Sequence, residues 1–142
     1  MKKITIALSM ALLAYPLSSL AAGLVSEAPA NAEVYFIQPS DGQIVKGKVK
    51  VVFGLKNMGV APAGTDRKNT GHHHLLIDKE VLPDLSMPLP SSDQVKHFGG
   101  GQTETEITLA PGIHSLQLLL GNYVHVPHNQ PVMSQKITIT VE

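Results

Sequence analysis

The sequence predicts an all-β fold, an immunoglobulin-like Greek-key β-sandwich of about seven strands, preceded by a cleaved signal peptide. Three observations predict it. Short runs of alternating or apolar β-forming residues recur along the chain, Gly- and Pro-containing turns separate them, and no segment after residue 22 shows a helical period.

The first element is the export segment, residues 1–22. Lys2 and Lys3 give a positive start, Ile4 to Ala14 is a mainly apolar run without charge, Pro16 breaks it, and Ser19-Leu20-Ala21-Ala22 supplies the small residues of a cleavage site. The apolar run is about 11 residues, short of the roughly 20 that a spanning helix needs. Cleavage with no membrane span afterwards is therefore expected, and the location is periplasmic or secreted. With no Cys in the chain, neither a lipid anchor at the cleavage site nor a disulfide is possible. Residues 23–33, rich in Ala, read as a flexible leader, and 34–142 as the sandwich.

Within the sandwich, Val34 to Ile37 is the first strand, closed by the turn Pro39-Ser40-Asp41-Gly42. Lys48 to Gly54 begins with alternation and ends apolar, and His72 to Asp78 is the third strand. Leu82 to Pro90 reads as an irregular crossing between sheets. Glu104 to Leu109 leads into the Pro111-Gly112 turn and the strand Ile113 to Leu120. In the last strand, Gln135 to Val141, Ile137, Ile139 and Val141 alternate with Lys136, Thr138 and Thr140.

Composition narrows the function. Without the two signal lysines the chain carries 9 Lys+Arg (11 less 2) against 11 Asp+Glu. That balance offers no electrostatic footprint for nucleic acid or an anionic membrane. About 120 residues remain, enough for one domain with its own core. All seven histidines fall in this part, while Trp and Cys are absent.

Side chains alternate faces on a strand, so His73, Leu75 and Ile77 share one face and His72, His74 and Leu76 the other. The apolar pair marks the first face as inward, which sends His72 and His74 together to the outer face, about 7 Å apart along the strand. Two imidazoles so placed can converge on one ion at about 2.0–2.1 Å each. If the five strands from Lys48 onward are B, C, E, F and G of a Greek key, the B–C, D–E and F–G loops lie at one end. His97 falls in the D–E loop, and His125 and His128 in the F–G loop. Five histidines, His72, His74, His97, His125 and His128, then gather at one pole as candidate metal ligands. His114 lies at the opposite pole, where it and the inward His73 read as buried, hydrogen-bonded structural residues.

Imidazole-rich, carboxylate-poor surroundings suit copper or zinc and argue against Ca or Mg. Met133 offers a soft ligand favouring copper, whereas Met58 and Met87 read as packing residues. Asp78 and Glu104 are either acceptors that orient an imidazole or ordinary charges at strand ends. Gly99-Gly100-Gly101 lacks the Lys-Ser/Thr and the helix of a phosphate cradle and reads as backbone freedom. No turn sets a Ser beside a His for hydrolase chemistry.

Four motifs together resemble one bacterial family. They are Gly54-Leu55 with Gly59 to Gly64, Gly71 to Asp78, His97 to Glu104, and Pro111 to Leu118. They are similar to the domain-of-unknown-function family numbered forty-three ninety-nine, marked by its GQTE motif, over roughly Phe36 to Val141. That resemblance implies an exported small domain with no assigned activity. After Leu120-Gly121 the family usually has an acid, and this chain has Asn122. The H-x-H on a strand is also similar to copper/zinc superoxide dismutases, but that likeness covers a single motif, with no bridging His or disulfide beside it.

Three readings follow. The first is a periplasmic module that binds copper or zinc for carriage or buffering and passes it to an envelope partner. The second is a non-enzymatic structural or interaction domain whose histidines knit loops together. The third, a metalloenzyme, has least behind it.

Overall fold

The computed structural model describes residues 23–142, so the export segment 1–22 lies outside the described residues. The fold is all-β, with nine strands among the described residues and no α-helix. They are β1 (Glu33–Gln38), β2 (Ile44–Val45), β3 (Val49–Lys56), β4 (Gly59–Val60), β5 (Thr70–Ile77), β6 (Val95–His97), β7 (Glu104–Ile107), β8 (Gly112–Gly121) and β9 (Ile137–Val141). The six long strands fall where alternation predicted them. β2, β4 and β6 were not predicted, since two or three residues are too few to show a period.

Two open sheets form. One runs β1-β3-β7; the other runs β2-β9-β8-β5-β4, with β6 also paired to β5. They pack as a sandwich because each turns one apolar stripe inward. Val34, Val49, Val51 and Phe53 from the first sheet meet Leu75, Ile77, Leu116, Leu118, Leu120, Ile137, Ile139 and Val141 from the second. Each fully buried aliphatic side chain here contributes roughly 1.5–3 kcal/mol against its exposed state.

β5 departs from the expected pattern. His73, Leu75 and Ile77 face the core, as alternation requires, but the opposite face is buried too, and His72 and His74 are 0% and 1% exposed. The expectation that they project into solvent is therefore corrected. The physical cause is a second apolar cluster, in which Leu76 and Leu119 on the sheet are covered by Leu89 and Val95, with Leu85 and Met133 at its margin. Leu82 to Pro90 forms this cover. It does not cross between sheets; it leads from β5 to β6, which pairs back onto β5. Met58 packs against the core, whereas Met87, in the Leu82 to Pro90 cover, is exposed and belongs to neither buried cluster.

The segment read as a flexible leader is hydrogen-bonded to the domain. Asn129 N–H donates to Ser26 O (2.9 Å) and the Asn57 side chain donates to Asn31 O (2.8 Å).

Candidate metal centre

β5 supplies the floor of the site. His72 and His74 stand two residues apart on the covered face, their ring centroids 4.8 Å apart. Antiparallel pairing sets His97, the last residue of β6, directly opposite His74. His97 thus reaches the site from a strand beside β5, not from a loop between the sheets. The β8–β9 loop brings His125, whose ring centroid lies 5.0 Å from that of His72 and 4.6 Å from that of His97.

The nitrogens meet more closely than the rings. His72 Nε2 is 3.0 Å from His125 Nδ1 and 3.2 Å from His97 Nε2. One nitrogen from each of His72, His74, His97 and His125 can be chosen so that all four lie within 4.8 Å of one another. With metal–nitrogen bonds of about 2.0–2.1 Å, the edges of a tetrahedral donor set are about 3.3 Å and those of a square about 2.9 Å. The 3.0 and 3.2 Å spacings around His72 match these edges.

His128 is not in this group. Its Nε2 lies 3.2 Å from the backbone oxygen of Thr70. Met133 sits at the edge of the second apolar cluster. His114 hydrogen-bonds through both ring nitrogens, Nδ1 to Asp78 Oδ2 and Nε2 to Ala110 O, each at 2.7 Å. Asp78 does orient an imidazole, then, but at the far pole. Glu104 is an exposed charge 3.7 Å from Lys50. His73 is buried, as expected, yet not hydrogen-bonded: neither ring nitrogen has a partner, and the ring packs on Phe53 at 4.9 Å.

Two glycines make room for the cluster. A Cβ at Gly99 would collide with the ring of His97, and one at Gly121 would lie 2.7 Å from His74 Cε1. Sequence reasoning took Gly99 as loop freedom; its role is space. Asn122 is the other residue whose part was not foreseen. It is buried, and its Oδ1 accepts from the backbone N–H of Val124 and Val126, shaping the turn that carries His125. His125 itself holds φ +68°, a left-handed conformation uncommon for a non-glycine residue.

The electrostatics favour neutral rings. Burial, then the neighbouring histidines, lowers His72 from 6.5 to about 4, and burial followed by His72, His97 and His125 lowers His74 to about 3. His97 is lowered as well, by burial and then His125. No carboxylate belongs to the group. Neutral imidazoles keep the lone pair that a cation requires. The floor is sealed at His72 and His74, His125 is half-buried, and His97 is exposed, so the cluster opens to solvent along His97. His72 Nδ1 and His74 Nδ1 are buried without hydrogen-bond partners.

Fold and site together define a class, an all-β domain with a four-imidazole cluster at one end of a sheet. Residues 51–142 match the family described as Domain of unknown function (DUF4399), and the chain belongs to that family. The matched span begins within β3, later than the motifs alone implied. No curated protein matches. Among solved structures, the X-ray structure of an endo-beta-1,4-mannanase from Thermotoga petrophila overlays 78% of this chain with 18% identity and a TM-score of 0.47. This chain spans 20% of that mannanase chain.

Proposed function

We propose that the domain binds one transition-metal ion, copper or zinc, through His72, His74, His97 and His125, and serves as an exported carrier or buffer for it. The observation that carries this reading is the approach of four imidazole nitrogens to within 4.8 Å of one another. An all-imidazole donor set suits Cu(II) and Zn(II) and gives hard cations such as Ca and Mg no oxygen ligand. Export rests on the N-terminal pattern of residues 1–22. The strand order of the two sheets supports the immunoglobulin-like Greek key in the same way.

The rival reading, histidines that only tie loops together, draws on those same ring contacts. His72 Nε2 faces two ring nitrogens and carries one hydrogen or one lone pair, so hydrogen bonding satisfies the pair at best as one shared contact. A cation at the centre engages all the facing lone pairs together.

Thermal melting of metal-stripped protein with added Zn(II) or Cu(II) decides between them. Metal at a hundred times its dissociation constant stabilises the fold by about 2.7 kcal/mol. No shift with either metal rejects the proposal. A shift that survives His97→Ala with His125→Ala rejects the ligand set.

A further inference from the structure

The turn that delivers His125 is not held by β8 and β9 alone. Buried Asn122 works in two directions: while its Oδ1 accepts from Val124 and Val126, its Nδ2 donates to Leu24 O (2.7 Å) and to Ser26 Oγ (2.9 Å). Asn129 makes a similar link further along the loop. Its backbone N–H donates to Ser26 O at 2.9 Å, and its Oδ1 accepts from Ala28 N–H at 3.2 Å. Leu24 to Ala28 thereby forms a strap across the β8–β9 loop, bonded at Asn122 and Asn129, and His125 lies between them. A carboxylate at position 122 supplies the two acceptor contacts to the turn, but only the amide also supplies the donor that takes hold of the strap. The left-handed backbone of His125 is a costly conformation that persists where its surroundings over-determine it. Two bonds do so directly, His125 N–H to Asn122 O and Leu89 N–H to His125 O, both 2.9 Å.

We propose that the strap and the metal site are coupled through Asn122 and Asn129. Docking of Leu24 to Ala28 holds the β8–β9 loop in the conformation that aims His125 Nδ1 at His72, and an ion held there fastens the strap in turn. This rests on the four-histidine reading. Coupling between binding events is reciprocal, so the two effects must be of equal size.

Two measurements on the full-length protein with Zn(II) test it. Hydrogen exchange at the backbone N–H of Ala28 and Asn129 should slow about ten-fold when Zn(II) is added, inside the roughly 5–150-fold span of such coupling. The variant Ser26→Ala with Asn129→Ala leaves Asn122 and all four cluster histidines in place. It should bind Zn(II) about ten-fold more weakly in chelator competition. Wild-type protein that binds Zn(II) while exchange at Ala28 and Asn129 stays the same overturns the coupling alone. So does a folded double variant with unchanged affinity, and if that variant does not fold the exchange result decides. Wild-type protein that takes up no Zn(II) overturns the four-histidine reading, and the coupling with it.

Discussion

The two poles of the second sheet use one residue type in opposite ways. At one pole four imidazoles crowd together without a carboxylate, and burial with mutual repulsion drives down the basicity of His72, His74 and His97. At the other, His114 meets the Asp78 carboxylate and a backbone carbonyl, and its pKa rises. β5 pairs with β6 to set His74 opposite His97, and with β8 to place Asp78, one residue past the end of β5, beside His114. The difference lies in the neighbours: a ring facing acceptors is a fixed donor, and a ring facing other rings keeps a lone pair to offer.

The largest expected effect sets the poles directly against each other. Removing two donors with His72→Ala and His74→Ala should weaken Zn(II) or Cu(II) binding by more than the roughly 10–100-fold that even outer-shell partners are worth. His114→Gln, at the far pole, should leave affinity unaltered in the same chelator competition. Equal losses in the two variants would mean the effect is global unfolding and not ligation.

Acid stability of the metal-free protein comes next. His73 is lowered from 6.5 to about 4, by burial first, with the nearby Gln102 backbone offsetting part of that. Between pH about 4 and 6.5 the unfolded chain therefore holds a proton that the folded chain does not. Stability then falls as pH falls through that window, by up to about 3 kcal/mol for this one ring. His72 and His74 act in the same direction. Urea unfolding at pH 7 and pH 4.5 should show the loss, and His73→Leu should remove the His73 share of it. The same substitution should raise stability at pH 7 by about 1 kcal/mol, since it replaces an unpartnered buried imidazole with an apolar side chain of similar size. A His73→Leu protein less stable at pH 7 would show that the ring has a partner after all.

Much of this was legible in the sequence. Alternation located the six long strands, and the H-x-H spacing put His72 and His74 on one face, because period two is a local property. Cover is not local. Whether the face opposite the core meets water depends on where Leu89 and Val95 return, sixteen and twenty-two residues after His73, and an irregular Pro-rich run carries no period to show it. His97 and His128 illustrate the same limit. Loop adjacency implied both, but only pairing geometry separates the ring that sits across from His74 from the ring that turns to Thr70. Gly99 and Gly121 were visible as glycines, whereas the rings for which they leave space became visible only once the chain was folded.

The smallest effect is also the sharpest contrast in sign. Both nitrogens of His114 face acceptors, so the doubly protonated ring satisfies Asp78 and Ala110 together, while either neutral tautomer gives up one donor. A folded-state pKa raised above 6.5 contributes stability that is fully present below pH 6.5 and is lost as pH rises through the raised value, opposite to His73. Asp78 is 43% exposed on its side chain, so solvent screening holds the contribution to about 1 kcal/mol or less. In an NMR titration of the metal-free protein, His114 should be protonated at a pH where His72, His73 and His74 are neutral. Asp78→Asn should move its midpoint back down, because the hydrogen bond that His114 donates to Asp78 is the largest cause of the rise. A His114 midpoint indifferent to Asp78→Asn would show that Ala110 alone sets the shift. The two poles would then differ only in burial, not in the charge that faces each ring.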